Sequence, residues 1–179
     1  MWKNSEDKFG LVSKLLHWIS AITVFSMFAL GYWMVDLTYY SQWYQTAPHW
    51  HESVGILLFI ATAFRLVWRF ISQAPNAIHN HSKLEQQASK LTHAVLYALL
   101  FFLMLSGYFI STADERAIDV FSWFSVAGFG ELIENQADLA GLIHEYLAYF
   151  LVGLALVHGG AALKHHYFDK DKTLTRMIK

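Results

Sequence analysis

The chain has 179 residues, of which 55% are hydrophobic, 17% aromatic and only 15% charged, with a formal net charge of -1. Mean hydropathy is +0.31, too apolar for a water-soluble domain of this size to hide in one core. Two prolines and the lack of low-complexity tracts exclude a disordered or fibrous chain. A near-neutral charge excludes nucleic acid as a partner, and zero cysteines exclude disulfides, thiolate chemistry and iron–sulfur clusters.

Taken in chain order, four segments are candidates to cross a bilayer core of about 30 Å, which needs about 20 apolar residues in a helix. No Asp, Glu, Lys or Arg occurs from Leu15 to Val35, from Leu91 to Ala113, or from Tyr146 to Leu163. A weaker apolar stretch from Ser53 to Phe64 becomes a span when Arg65 is accepted inside it. The spacing predicts spans at about 11–35, 49–70, 91–113 and 140–163, joined by connections near 34–49, 71–90 and 114–142, all in one domain over residues 1–179. The first apolar run is interrupted at its start by Lys14 and His17 and has no A-x-A-like exit, so it reads as a retained span.

The third connection, about 29 residues, is long for a turn. Its stretch from Phe121 to Phe129 suits the lipid–water boundary, as an aromatic anchor or, alternatively, a lid.

Charge sets the orientation. Lys3, Lys8, Lys14, Arg65, Arg69, Lys83, Lys90, Lys164, Lys170, Lys172, Arg176 and Lys179 fall on one side, and Arg116 alone on the other. This asymmetry predicts both termini in the cytoplasm. The far side carries Asp36, Asp114, Glu115, Asp119, Glu131, Glu134 and Asp138.

Ten histidines are the anomaly in so apolar a chain. An ionisable or polar side chain within a span is a functional candidate by default, and His17, His51, His93, His144 and His158 lie in or at the ends of spans. His144 and His158 are fourteen residues apart, which places them on one helix face about 21 Å apart. The same step from His17, His51 and His93 reaches Gly31, Arg65 and Gly107. With alternating helix direction these residues sort into two layers. The cytoplasmic layer holds His17, Arg65, His93 and His158; the outer layer holds Gly31, His51, Gly107 and His144.

A planar macrocycle between helices needs an imidazole on each side of its iron and small residues where a backbone comes close. The outer layer offers two histidines and two glycines for one bis-histidine haem. The cytoplasmic layer offers three histidines for two axial positions, with Arg65 able to pair a propionate. No C-x-x-C-H attachment sequence is present, so two haems b are expected.

Other constellations are weaker. There is no H-E-x-x-H helix and no glycine-rich phosphate loop. Glu52 and Glu145 read as solvated helix-end charges. His49, His79, His81, His165 and His166 read as surface or interfacial histidines, although a metal is within their chemistry. Lys14 and Arg69 suit snorkelling to headgroups. His93 is open between haem ligand, haem-edge donor and quinone contact.

Leu16-His17-Trp18, His51-Glu-Ser-Val-Gly55 with Arg65, and Thr92-His-Ala-Val-Leu-Tyr97 resemble the bacterial cytochrome b-561 family. So, most specifically, does the closing run from Ile143-His144-Glu145 through His158 and His165-His-Tyr-Phe168 to Thr173-Leu-Thr-Arg176. The resemblance covers roughly residues 10–178. It implies an all-α integral membrane four-helix bundle of the bacterial inner membrane, holding two haems b and exchanging electrons with the quinone pool. It also implies the pairs His17 with His158 and His51 with His144, and, from family members assigned that activity, a superoxide oxidase using ubiquinone as acceptor. The acidic outer segments sit awkwardly with an anionic substrate. They suit a basic periplasmic protein donor, which gives a second expectation: a cytochrome b subunit relaying electrons between a protein partner and quinone. A third is a haem-free membrane anchor whose histidines tie helices together.

Overall fold

The computed structural model describes residues 1–78 and 81–179; His79, among the interfacial histidines above, lies outside them. Four long helices take the apolar runs: α1 (Leu11–Met34), α2 (Thr46–Ile71), α3 (Lys83–Ser111) and α4 (Gln136–Tyr167), with a short C-terminal α5 (Thr175–Ile178). Each of the four is long and apolar enough to span a membrane, where a helix satisfies its own backbone polar groups without water. The two prolines bracket α2: Pro48 sits in its first turn, where a missing N–H costs nothing, and Pro75 follows its end.

The third span is longer than its apolar run, and a capping box explains why. Ser82 Oγ accepts from the Glu85 amide at 3.2 Å while Glu85 Oε2 accepts from the Ser82 amide at 2.8 Å, so the helix begins at Lys83 rather than near residue 91. The fourth helix likewise continues to Tyr167, past the end of its apolar run.

α3 packs along α4 and α1 along α2, and contacts of α2 with α3 and of α1 with α4 close the bundle. Burial is slight. Only 6% to 11% of the most apolar stretch of each span is buried, and Ile22, Phe64, Phe102, Phe150 and Val157 point outward, as expected where lipid is the solvent. Besides Leu58, Leu100, Leu151 and Gln136, the residues buried along the helices are small: Ser20, Ala47, Ser53, Thr62, Ser106, Thr112 and Ala140, the kind that lets membrane helices approach closely. Ser20, Ser106 and Thr112 return their hydroxyls to carbonyls of their own helices.

One end of the bundle gathers both termini and the α2–α3 connection. Asn4 is the knot. Its amide and its Nδ2 donate to Ser72 Oγ, Ser72 O and Gln73 O at 2.9–3.0 Å. Its Oδ1 accepts from the Gly10 amide and the Ser13 hydroxyl at 2.8 Å. The C-terminal segment joins through Trp18 Nε1 donating to Met177 O at 2.9 Å and Arg176 Nη1 donating to Asn76 O at 2.8 Å.

At the other end, the α3–α4 connection is not a plain loop. It forms an antiparallel hairpin, β1 (Ile118–Val120) with β2 (Phe124–Val126), in the register Ile118 to Val126 and Val120 to Phe124. Ile118 and Val120 are buried, and β1 packs against α2. Fully buried Ser53 pins it, its Oγ donating to Asp119 O at 3.1 Å and accepting from the Phe121 amide at 3.0 Å. Buried Gln136 closes the loop behind, donating to Phe109 O and accepting from the Leu132 amide. Trp123 remains 71% exposed at the tip.

Ser53→Ala removes both bonds and leaves two backbone groups of the hairpin unpartnered, a loss of about 1–3 kcal/mol. Amide hydrogen exchange is expected to speed up at residues 118–126 while the spans keep their protection; unchanged exchange there would contradict the anchoring role.

Candidate functional site

The histidines singled out by spacing turn inward, half-buried, and gather at two levels of the bundle. Near the hairpin, His51 of α2 faces His144 of α4, their ring centres 6.1 Å apart with planes 67° from parallel. Gly31 and Gly107 lie directly against these imidazoles: a Cβ at Gly31 would stand 3.1 Å from His51 Cε1, and one at Gly107 3.1 Å from His144 Cε1. A side chain at either position would press on the imidazole, which would have to give by a few tenths of an ångström.

His144 Nδ1 is 2.9 Å from Leu103 O and 3.1 Å from Ser106 Oγ. The carbonyl accepts only, so Nδ1 carries the proton and Nε2 keeps a free lone pair, the state in which an imidazole binds a metal. His51 Nδ1 is buried with no hydrogen-bond partner among the described residues. An orphaned buried nitrogen of this kind is costly unless the ring serves a group that the protein chain does not supply.

The second level lies toward the termini. His17 of α1 faces His158 of α4, ring centres 6.4 Å apart. His93 of α3 is closer to His158, at 5.0 Å, and its Nδ1 donates to Ser89 O at 2.7 Å within its own helix. Arg65 Nη2 donates to His17 Nδ1 at 2.9 Å, and its guanidinium lies 5.4 Å from the centre of the Tyr97 ring. Arg69 flanks the same ring at 5.8 Å. The arginine accepted inside the second span is therefore held by an imidazole and an aromatic face, the partners a buried cation needs.

These separations can be tested against a metal. Two imidazoles on opposite sides of one ion, each with a bond of about 2 Å, put their ring centres about 6.3 Å apart. His51 with His144 and His17 with His158 meet that distance; His93 with His158 does not. The geometry so separates the three histidines that spacing had left equivalent. One adjustment is implied. With Arg65 donating to Nδ1, neutral His17 carries its proton on Nε2, so a ligating His17 must let Arg65 go, which frees the guanidinium for a carboxylate.

Other candidates fall elsewhere. Arg116 is paired with Asp114 two residues away and is exposed. His49 and Trp50 pack edge-on to Phe121 of the hairpin. His81 and His165 come together beside Asp171 at the terminal end, a grouping the sequence does not announce because His81 is remote from the other two along the chain.

Comparison with known proteins agrees with this architecture. The family described as prokaryotic cytochrome b561 matches residues 8–179. Cytochrome b561 homolog 2 of Escherichia coli (strain K12) is 47% identical over 175 residues, covering 98% of this chain and 93% of that protein. Cytochrome b561 homolog 1 of the same strain is 29% identical over 96% of this chain and 97% of its own length. A probable superoxide oxidase CybB of Yersinia pestis is 30% identical over 138 residues, 72% of each chain. With four spans, inward histidines and a match along nearly its whole length, the chain belongs to the prokaryotic cytochrome b561 family of membrane electron-transfer cytochromes.

Proposed function

We propose that this cytochrome holds two b-type haems, one between His51 and His144 and one between His17 and His158, and passes electrons between a donor outside the inner membrane and the quinone pool. The observation that carries the reading is the pair of ring separations, 6.1 and 6.4 Å, at two levels of one bundle. Each haem supplies a one-electron carrier when bound. The chain's part is positional and electrostatic. Leu103 O holds His144 in the ligating tautomer. Gly31 and Gly107 keep the helices close to the outer pair. Arg65, once released from His17, offers a guanidinium to a propionate. His93 stands beside His158; with its Nδ1 proton given to Ser89 O, its Nε2 offers a hydrogen-bond acceptor at the haem edge or to a quinol hydroxyl rather than a donor. The lysine and arginine asymmetry puts both termini in the cytoplasm, so the His51–His144 level is the outer one.

The donor reading supported by the likeness to a probable superoxide oxidase is superoxide itself. Two superoxide anions each give up one electron and leave as O2, and ubiquinone takes two electrons and two protons. A second reading has a specific observation behind it. Arg116, the lone basic residue of the outer segments, is neutralised by Asp114 among further carboxylates, a surface better suited to a basic protein donor than to an anion.

Three measurements decide. Pyridine haemochrome analysis is expected to give two haems per chain, falling to one in His51→Ala or His144→Ala; retention of both haems in either variant contradicts the assignment, and no Soret band at all in the purified protein would make it a haem-free anchor. Gly107→Val places a branched side chain against His144 and is expected to lower outer haem occupancy in the same assay, with inner haem kept. Superoxide supplied to the purified protein with ubiquinone is expected to yield ubiquinol in proportion to protein. No ubiquinol there, with recovery of a stable partner by detergent pull-down, would favour the relay.

A further inference from the structure

At the terminal end of the bundle, away from both histidine pairs, three metal-binding side chains converge from segments that are remote in sequence. His81 ends the α2–α3 connection, His165 lies in the last turn of α4, and Asp171 follows that helix. His81 Nε2 is 2.7 Å from Asp171 Oδ2, and His165 Nδ1 is 3.7 Å from the same oxygen. One ligand atom from each of the three falls within 4.8 Å of the others. From these distances we infer that His81, His165 and Asp171 form a binding site for a divalent late transition metal, zinc being the probe of choice.

Ligand atoms around a tetrahedral zinc with bonds of about 2 Å stand about 3.3 Å apart, so the two separations to Asp171 bracket the required value. Two imidazoles and one carboxylate are a donor set that suits zinc and its neighbours rather than magnesium or calcium. The three side chains are well shielded, with 19%, 16% and 6% of their surface exposed for His81, His165 and Asp171.

Their backbones are also held. The His81 amide donates to Ile78 O and its carbonyl accepts from Gln86 Nε2. The Asp171 amide donates to His165 O, and its Oδ1 accepts from the Thr173 amide at 2.7 Å. That last bond leaves Oδ2 turned toward the two imidazoles, oriented by a neighbour as metal carboxylates are.

A neighbouring set, Glu85, His165 and Asp169, also meets the distance criterion, but Lys164 already occupies it. Its ammonium is 2.6 Å from Asp169 Oδ2 and 3.9 Å from Glu85 Oε1, a positive charge where a cation would have to sit. His165 Nδ1 is itself 2.6 Å from Asp169 Oδ2, so a metal on the side of His81 and Asp171 replaces that hydrogen as well as the proton between His81 and Asp171. Three protein ligands leave a fourth position for water or an exchangeable ligand. Bound there, the ion ties the α2–α3 connection, the end of α4 and the C-terminal segment together.

The site is independent of the haem assignment and is tested on the haem-replete, untagged full-length protein in detergent. After chelator treatment, zinc titration by calorimetry is expected to show one site per chain. His81→Gln and Asp171→Asn are each expected to weaken it by at least about tenfold with the haem absorbance spectrum unchanged. X-ray absorption at the zinc edge of the wild-type protein is expected to report two imidazoles with oxygen ligands. Absence of a stoichiometric site in the wild-type protein, equal affinity in both variants, or an imidazole count other than two would overturn the inference.

Discussion

Everything polar inside this bundle has to find its partner within the bundle. Across the thickness of the hydrocarbon there is no water to accept a stray proton or solvate a charge. The four long helices answer that constraint for the backbone. For side chains it is answered residue by residue: Ser20, Ser106 and Thr112 bond to carbonyls of their own helices, and Arg65 lies between His17 and Tyr97. The imidazoles are where the protein's own resources run short. His51 Nδ1 has no partner among the described residues, and the rings of the two facing pairs have their centres 6.1 and 6.4 Å apart.

Much of this was legible in the sequence, because the period of a helix converts spacing into position. The fourteen-residue step from His144 to His158 requires only that α4 be continuous, and it is. Local chemistry was legible too where both partners are near neighbours: the Ser82–Glu85 capping box is written in four consecutive residues, yet hydropathy alone placed the start of α3 several residues late. Contacts between distant segments could not be read. The seat of the hairpin on Ser53, the Arg65 contact with His17, and the approach of His81 to Asp171 join residues from 48 to 90 positions apart. No periodicity brings such residues together; only the packing of helices does. The same packing distinguishes His17 from His93, since both sit at suitable depth and only their distances to His158 differ.

The two ends of the molecule are built differently. The terminal end is cross-braced by Asn4, Trp18 and Arg176, so both termini and the α2–α3 connection form one unit. The opposite end is capped by a single hairpin held at Ser53, two residues beyond His51 on the same helix. Phe121 of that hairpin also packs edge-on against His49 and Trp50.

The fourteen-residue rise has an electrical meaning as well. The two levels are about 21 Å apart along the helix, roughly two thirds of a hydrocarbon layer about 30 Å thick. An electron travelling from one level to the other traverses about that share of the transmembrane voltage, work of about 1.6 kcal/mol for each 100 mV. Were each level to hold a redox centre, such transfer, uncompensated by protons moving alongside, would be electrogenic, and the energised state of the membrane would tilt the balance between the two levels.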